Sequence, residues 1–315
     1  MPKPILTLTL NPSVDISYPL NHLELDTVNR VSTTRKTAGG KGLNVARVIA
    51  QLGQKVAGSG FLGGDLGNFI AKKLSGDNIE NWFMQISGET RNCIAILHDD
   101  GKQTEILESG PEITATEADD FLDHLEKYLD QIDLMTISGS LPKGLPTDFY
   151  SQLIELADRH GVQTLLDSSG EPLLKSLTSL HRPYLIKPNQ DEIAQIAGQK
   201  IDDLDQLKKI LLENPLLSSI PWVVVSLGKD GAMAKAGMDL FYAKIPKIDA
   251  VNPVGSGDST VAGLAYALNR KADVDEVLKT AMTTGILNTL NAKTGCIDAS
   301  LFENYYSQIV IEKIN

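Results

Sequence analysis

A glycine-rich turn at residues 252–258 carries the clearest chemical signal in the sequence. It runs from Asn252 through a proline and two glycines to Asp258, and proline and glycine are unfavourable inside a helix. The residues that follow have helical apolar spacing, so the turn leads into a helix N-terminus, where free N–H groups and the helix dipole attract anions. Asp258 is a poor phosphate ligand because it is negatively charged, but it suits a base for a hydroxyl that attacks a phosphate. The alternative is an aspartate that only caps the helix.

A second glycine cluster precedes another predicted helix. Gly39, Gly40 and Gly42 surround Lys41, and Asn44 follows. The glycines let the backbone approach a ligand closely, and Lys41 adds a positive charge beside a helix N-terminus. The spacing matches neither a Walker A loop nor Gly-x-Gly-x-x-Gly, which argues against a dinucleotide oxidoreductase.

Two further candidates adjoin predicted strands. Asp15 follows the first strand and could accept hydrogen bonds from the hydroxyls of a polyol, or it could be an ordinary carboxylate of a surface turn. Arg91 opens a later strand and could reach an anionic substrate, although exposed arginines on strands are common. The five histidines form no recognisable metal-binding pair, so we assign none of them to a metal.

Polar residues also follow two later strands. Asn189 and Glu192 are three positions apart and share one side of a helical turn. They could orient the waters of Mg²⁺, or they could form a capping box. The turn that contains Ser226, Gly228 and Gly231 is a candidate nucleotide contact at another junction between a strand and a turn.

Strand-like and helix-like segments alternate through most of the chain. We predict strands at 5–10, 55–62, 134–138, 164–167, 184–187 and 222–226, and helices at 42–52, 65–75, 116–128, 148–160, 191–198, 203–212, 259–269 and 274–291. Thr116, with Asp119 three positions later, is the expected N-cap of the helix at 116–128, and Asp65 is that of the helix at 65–75. This alternation predicts an α/β fold, a mostly parallel sheet with helices on both faces and ligands at the carboxyl ends of its strands.

Two segments, 14–37 and 90–108, interrupt this alternation. Residues 29–37 alternate without a helical period, and 91–97 and 103–108 flank an Asp-Gly hairpin signal at Asp100 and Gly101. We expect these strands to form a small separate sheet, a lid over the strand ends. A hairpin that extends the main sheet is the alternative. The chain shows no repeat, low-complexity tract or linker, so residues 1–315 are predicted to form a single domain with this lid.

Charge and composition restrict the partners and the compartment. The net charge of −11 disfavours nucleic acid and acidic membranes as partners. The two cysteines have no metal-ligand spacing, and we see neither a signal peptide nor a run of about 20 apolar residues. These features predict a cytoplasmic protein.

Several motifs in a fixed order resemble one family. The chain is similar over essentially its whole length to the ribokinase/phosphofructokinase B family of sugar kinases. The matching segments are residues 11–15 (Asn-Pro-Ser-Val-Asp), 39–44 (Gly-Gly-Lys-Gly-x-Asn), 60–67 (Gly-x-x-Gly-x-Asp-x-Gly), 138–142 (Ser-Gly-Ser-Leu-Pro), 189–192 (Asn-x-x-Glu) and 255–258 (Gly-Ser-Gly-Asp). Within the family, the opening motif, Thr90-Arg91 and the Ser-Gly-Ser-Leu-Pro run resemble the hexose-phosphate branch.

The resemblance implies a fold and an activity. The fold would be ribokinase-like, with a small β lid and frequently a homodimer formed through that lid. The activity would be ATP-dependent phosphorylation of a ketohexose phosphate. Within the family, the amino-acid sequence is most similar to the tagatose-6-phosphate kinases of the lactose and galactose pathway. The alternative is 1-phosphofructokinase or 6-phosphofructokinase activity. A non-catalytic sensor of sugar phosphates is a further alternative, against which the intact Asp258, Asn189 and Glu192 argue.

The resemblance also implies a role for each matching residue. Asp258 would be the base, and the N–H groups of Gly255, Ser256 and Gly257 would stabilise the transferring phosphoryl group; Ser256 replaces the more familiar alanine. Asp15, Gly39, Gly40, Lys41 and Asn44 would hold the sugar, with Lys41 and Arg91 as candidates for its phosphate. Lys187, Asn189, Glu192, Ser226, Gly228 and Gly231 would lie near Mg-ATP, with Asn189 and Glu192 acting on Mg²⁺ through water. Some relatives bind a monovalent cation, here near Asp249, Val251 and Gly295.

Overall fold

The strands form two separate sheets within residues 2–315, the part of the chain that the computed structural model describes. The strands are β1 (Ile5–Thr9), β2 (Ser13–Pro19), β3 (Arg35–Gly39), β4 (Val56–Gly63), β5 (Glu80–Asn81), β6 (Met84–Ile86), β7 (Arg91–His98), β8 (Lys102–Leu107), β9 (Leu134–Ser138), β10 (Gln163–Asp167), β11 (Leu185–Ile186), β12 (Trp222–Ser226), β13 (Ala232–Ala236), β14 (Asp239–Lys244) and β15 (Val310–Lys313). The helices are α1 (Lys41–Gln51), α2 (Gly64–Gly76), α3 (Ala115–Leu129), α4 (Phe149–Arg159), α5 (Gly170–Thr178), α6 (Gln190–Ala197), α7 (Leu204–Glu213), α8 (Pro215–Ser218), α9 (Ser256–Asn269), α10 (Val274–Thr289) and α11 (Phe302–Tyr306).

The larger sheet is mostly parallel. Its order is β15-β14-β13-β12-β11-β10-β9-β1-β4-β5, and β6 also pairs with β4. The pairs from β12 to β5 are parallel, whereas β13, β14 and β15 are added antiparallel at one edge. The parallel strands therefore direct their carboxyl ends to a common edge, as the sequence predicted.

Helices cover both faces of this sheet because successive strand residues point to opposite sides. On β1, Ile5 packs into one core with residues of α1, α9 and α10, and Leu6 and Leu8 pack into the other with residues of α3, α4 and α7. The three side chains are fully buried. Among residues 2–315, no helix combines the length and the apolar composition needed to cross a bilayer.

The six predicted strands and eight predicted helices are all present, but two predicted N-caps are wrong. The N-cap of α3 is Thr114, whose hydroxyl accepts from the Glu117 N–H while the Glu117 carboxylate accepts from the Thr114 N–H. Thr116 lies inside the helix. The earlier pair prevails because Ile113, just before Thr114, is buried and so fixes the entry of the chain. In α2 the N-cap is Gly63, and Asp65 lies in the first turn, where its charge favours the helix dipole.

The predicted lid is a separate four-stranded sheet of order β3-β2-β7-β8, which we call the lid sheet. The hairpin signal is confirmed: β7 and β8 pair antiparallel, and Asp99, Asp100 and Gly101 adopt positive φ in the turn between them. The strand expected at 29–37 is wrong in extent, since it begins only at Arg35 and ends at Gly39. Residues 29–34 alternate in type, but no face of them is buried, so no core holds them extended.

Candidate active site

A cleft of about 1540 Å³ lies between the lid sheet and the carboxyl ends of β1, β9 and β10. The predicted site residues that line it are Asp15, Gly40, Lys41, Asn44, Arg91, Lys187, Gly255, Gly257 and Asp258. Gly39 and Ser256 adjoin these residues in the chain. The fold therefore brings together five separate stretches of the sequence, at 15, 39–44, 91, 187 and 255–258.

The turn before α9 has the geometry of an anion site. Gly255 is the N-cap and adopts a left-handed φ of 81°, and a Cβ added there would overlap the side chain of Thr294. The helix begins at Ser256, three residues earlier than predicted, so Asp258 lies within its first turn and makes no capping bond. The capping alternative for Asp258 is therefore wrong. The Ser256 N–H donates to the Pro253 carbonyl at 3.2 Å, and a first turn leaves further N–H groups without carbonyl partners.

Asp258 is buried, with 6% of its surface exposed. Its Oδ2 accepts a hydrogen bond from Nδ2 of Asn44 at 2.7 Å. Burial, and then the charge of Asp167, raise the pKa of Asp258 to about 6, while Asn44, Lys41 and Lys187 act in the opposite direction. A carboxylate with this pKa can accept a proton near neutral pH, which is the property that a general base needs.

Asp167 links the two lysines of the site, and the sequence reasoning assigned it no role. It ends β10 and is 5% exposed. Its Oδ1 lies 3.3 Å from Nζ of Lys187, and its Oδ2 lies 3.7 Å from Nζ of Lys41. Asp167 is also the main cause of the raised pKa of Lys41. The available signal was a lone carboxylate that closes an apolar strand at the carboxyl edge of the sheet.

The glycines at 39–42 allow the start of α1 to pack tightly against β1 and β2. A Cβ at Gly39 would overlap the carboxylate of Asp15, and one at Gly42 would overlap the carbonyl of Leu8. Asp15 lies on β2 within the cleft, so the alternative of a surface turn is wrong. Its Oδ1 accepts from the Ser13 hydroxyl at 2.6 Å, and burial raises its pKa.

Arg91 joins the lid sheet to the main body. Its Nη1 donates to the Glu108 carbonyl at 2.9 Å and its Nη2 to the Asn11 carbonyl at 3.0 Å. The side chain is partly buried, so it is not an ordinary exposed strand arginine. Beside it, Oδ1 of Asn11 is buried without a hydrogen-bond partner among the described residues, as is Oγ of Ser138 on β9. Both residues line the cleft.

Of the predicted nucleotide residues, Lys187 lines the cleft, whereas Asn189, Glu192, Ser226, Gly228 and Gly231 lie at the next strand ends and do not line it. Asn189 and Glu192 form the capping box of α6: the Glu192 N–H donates to Asn189 Oδ1, and the Asn189 N–H donates to Glu192 Oε2, both at 2.9 Å. Ser226 ends β12, and Gly228 and Gly231 follow with φ of 59° and 89°. The fold itself also requires glycine at position 231, because a Cβ there would overlap the Ala243 carbonyl.

Comparison with known proteins agrees with this arrangement. The model of the pfkB family of carbohydrate kinases matches residues 8–299. The chain belongs to the pfkB family. A tagatose-6-phosphate kinase of Staphylococcus epidermidis is 50% identical over 311 residues, which is 98% of this chain and 100% of the relative. This degree of similarity shows that the protein is a carbohydrate kinase with a ribokinase-like fold.

Solved structures of the family superpose over nearly the full length. A putative phosphofructokinase from Staphylococcus aureus has a TM-score of 0.86 at 30% identity and covers 99% of both chains. Phosphofructokinase-2 from Escherichia coli in complex with fructose-6-phosphate also has a TM-score of 0.86, at 26% identity, covering 98% of this chain and 99% of that one. The superposition therefore shows that this chain and these phosphofructokinases share one overall fold.

Proposed function

We propose that this pfkB kinase transfers the γ-phosphoryl group of ATP to the C1 hydroxyl of D-tagatose 6-phosphate and forms the 1,6-bisphosphate. The observation that carries the proposal is a buried carboxylate with a pKa of about 6, Asp258, in the first turn of α9 at the wall of the cleft. The choice of tagatose 6-phosphate rests on the relatives that are 50% identical to the chain.

In this mechanism the ionised Asp258 takes the proton of the C1 hydroxyl. The hydroxyl oxygen then forms a bond to the γ-phosphorus, and the bond from that phosphorus to the bridging oxygen of ADP breaks. Charge on the transferring group would be stabilised by the backbone N–H groups of Gly255 and Gly257, and by that of Ser256, which would exchange its bond to the Pro253 carbonyl for one to the phosphoryl group. A Cβ added at Gly257 would lie 3.4 Å from Nζ of Lys187, so this ammonium group would add positive charge beside the same turn.

The sugar would bind between β1, β2 and β9. The unpartnered Asn11 Oδ1 and Ser138 Oγ, together with the Asp15 carboxylate, offer polar atoms to the hydroxyls of a polyol. Gly39, Gly40 and Asn44 complete this wall. Lys41, which is half-exposed, and Arg91 are the cations proposed for the 6-phosphate.

Mg-ATP would approach from the ends of β11 and β12. Glu192 Oε2 is used in the capping box, but its second oxygen has no partner there, so Asn189 and Glu192 fit an outer-sphere Mg²⁺ ligand set. Bound Mg²⁺ would neutralise charge on the phosphates of ATP. Lys187, Ser226, Gly228 and Gly231 would line the nucleotide side. A monovalent cation near Asp249, Val251 and Gly295 is a further proposal, supported by a potassium complex of the Escherichia coli neighbour.

The alternative substrate is a fructose phosphate. The neighbour solved with fructose-6-phosphate supports it, and tagatose differs from fructose only in the orientation of the C4 hydroxyl. One hydrogen bond can decide such a preference. A coupled ADP-release assay should compare kcat/KM for tagatose 6-phosphate, fructose 6-phosphate and fructose 1-phosphate in parallel.

Each outcome of this assay is informative. The highest kcat/KM with tagatose 6-phosphate supports the proposal, whereas a preference for either fructose phosphate replaces the substrate. Absence of turnover with all three sugars in folded protein, together with a ligand-dependent rise in Tm, would indicate a sensor and would overturn the proposed activity.

We also propose a homodimer that forms through the lid sheet. Leu97, Ile106 and Leu107 on β7 and β8 are 40%, 54% and 59% exposed, and exposed apolar groups on one small sheet favour contact with another protein surface. The Escherichia coli neighbour has been solved as a tetramer. Light scattering of the wild type and of Ile106→Lys tests the proposal: a dimer that becomes a monomer supports it, and a wild-type monomer rejects it.

A further inference from the structure

Arg47 is a partly buried cation of α1 that the mechanism above does not use. It lies one helical turn after Asn44 and lines the cleft. Burial lowers the pKa of Arg47, and among residues 2–315 no carboxylate forms an ion pair with it within 4 Å. Burying a cation without such a pair is costly, so its hydrogen bonds need an explanation.

Arg47 makes two directed hydrogen bonds. Its Nη2 donates to Oδ1 of Asn44, and its Nη1 donates to the carbonyl of Ala38 at 2.7 Å. Ala38 belongs to β3, a strand of the lid sheet that leads directly into Gly39 and Gly40. The guanidinium group therefore joins the Asn44 side chain to the end of a lid strand.

The polarity of this chain of bonds is fixed by Arg47. A guanidinium group has only donors and an ionised carboxylate has only acceptors, whereas an amide offers both. Because Oδ1 of Asn44 must face Arg47, its Nδ2 faces Asp258, to whose Oδ2 it donates at 2.7 Å. If the amide turned over, its oxygen would face the carboxylate and would disfavour the ionised form of Asp258.

We infer that Arg47 is a positioning residue, which holds the Asn44 amide in the orientation that donates to Asp258 and ties that orientation to the end of lid strand β3. This inference rests on the proposed function, since it assumes that Asp258 is the base. It deepens that function by connecting the lid sheet to the catalytic carboxylate.

Other groups around Asp258 also affect its pKa. They are Asp167 at the end of β10, Lys187 after β11, and Lys41 and Asn44 of α1. Strands β1 and β9, which also pack against α9, contain no titratable side chain. The charged residues of α10, namely Asp275, Glu276 and Lys279, precede Thr280, which packs at Gly263, and so lie toward the far end of α9. None of these groups changes when only Arg47 is replaced.

The test is the pKa of Asp258 in the protein without substrate, measured from its side-chain carboxyl signal by NMR. In Arg47→Gln we expect this pKa to rise above the wild-type value, because the Asn44 amide is no longer held. Arg47→Lys keeps the charge but lacks the two-pronged geometry, so its pKa should also rise. An unchanged pKa in Arg47→Gln would overturn the inference. Full recovery of the wild-type value in Arg47→Lys would also overturn it, since charge alone would then suffice.

A double-mutant cycle identifies the route of the effect. If Arg47 acts through Asn44, Asn44→Ala combined with Arg47→Gln should have the same pKa of Asp258 as Asn44→Ala alone. Independent, additive shifts would reject the route. Gln51→Ala is the matched control: Gln51 is also on α1 and bonds the Gly295 carbonyl, so its loss should lower Tm without moving the pKa.

Activity supplies the second readout. With the preferred sugar phosphate, Arg47→Gln should lower kcat by up to ~10²-fold, the scale of a misplaced catalytic group, and should shift the acidic limb of the pH profile upward, with KM for ATP little changed. A wild type without turnover would reject the proposed function, yet the NMR titration would still decide the role of Arg47.

Discussion

Asp167 and Asp258 are two buried carboxylates at one end of the cleft, and the charge of Asp167 helps to raise the pKa of Asp258. Asp167 is itself held by Lys41 and Lys187. The two carboxylates are thus separated in role: one is paired with cations, and the other is kept close to the pH at which it can exchange a proton. This separation supports the proposal that Asp258 is the base.

The first prediction concerns Asp258→Asn. The amide keeps the shape and can still accept from Asn44, but it cannot take a proton. We expect kcat to fall by at least ~10²-fold, the lower range for general-base catalysis, with KM values little changed. Asp65→Asn, which removes a first-turn carboxylate of α2, is the control and should keep full activity. Activity of Asp258→Asn within a few-fold of wild type would remove Asp258 from the role of base.

The same substitution should stabilise the protein at neutral pH. The pKa of Asp258 rises from 3.8 to about 6 on folding, so the folded state binds the proton more tightly. The stability from this group is fully present below about pH 4 and is lost as the pH rises through about 6. The quantity to compare is the free energy of unfolding of Asp258→Asn minus that of the wild type. This difference should be larger at about pH 7.5 than at about pH 4.5 by about 2 kcal/mol, since one pKa unit is about 1.4 kcal/mol. Denaturant unfolding at both pH values measures this difference, and a constant gap would contradict a raised pKa.

Arg91→Ala should separate the two substrates. If Arg91 binds the phosphate of the sugar, KM for the sugar phosphate should rise by at least ~10-fold, the loss of a charge-assisted hydrogen bond, while KM for ATP stays nearly constant. Arg30→Ala, an exposed arginine of the segment before β3, should change neither KM. Equal effects of Arg91→Ala on both KM values would mean that Arg91 acts only through its bonds to the Asn11 and Glu108 carbonyls.

Sequence patterns predicted the parallel sheet, the helices and the segments that meet in the cleft, because apolar periodicity and glycine-rich turns are local. They did not predict Asp167 as a site residue, since its importance depends on two lysines that are distant in sequence. Nor did they distinguish Thr114 from Thr116 as the cap of α3. Both threonines have an acidic residue three positions later, and only the burial of Ile113 selects the first.

That choice of cap can be tested by stability. Thr114→Ala removes the hydroxyl that accepts from the Glu117 N–H and should cost about 1 kcal/mol of unfolding free energy, the usual value of an N-cap. Thr116→Ala is the matched control, because both threonines are exposed, and it should change stability by less than about 0.5 kcal/mol. The reverse ranking in urea unfolding would show that α3 begins at Thr116.

The last prediction returns to the pair of carboxylates. Asp167→Asn removes the negative charge that raises the pKa of Asp258, and it leaves the ammonium groups of Lys41 and Lys187 without their partner. Both changes favour the ionised form of Asp258, so the acidic limb of the kcat profile should move below about pH 6. The shift is opposite in sign to the one expected for Arg47→Gln. A limb that stays in place or moves upward in Asp167→Asn, measured in protein with a wild-type circular dichroism spectrum, would show that Asp167 does not set the pKa of the base.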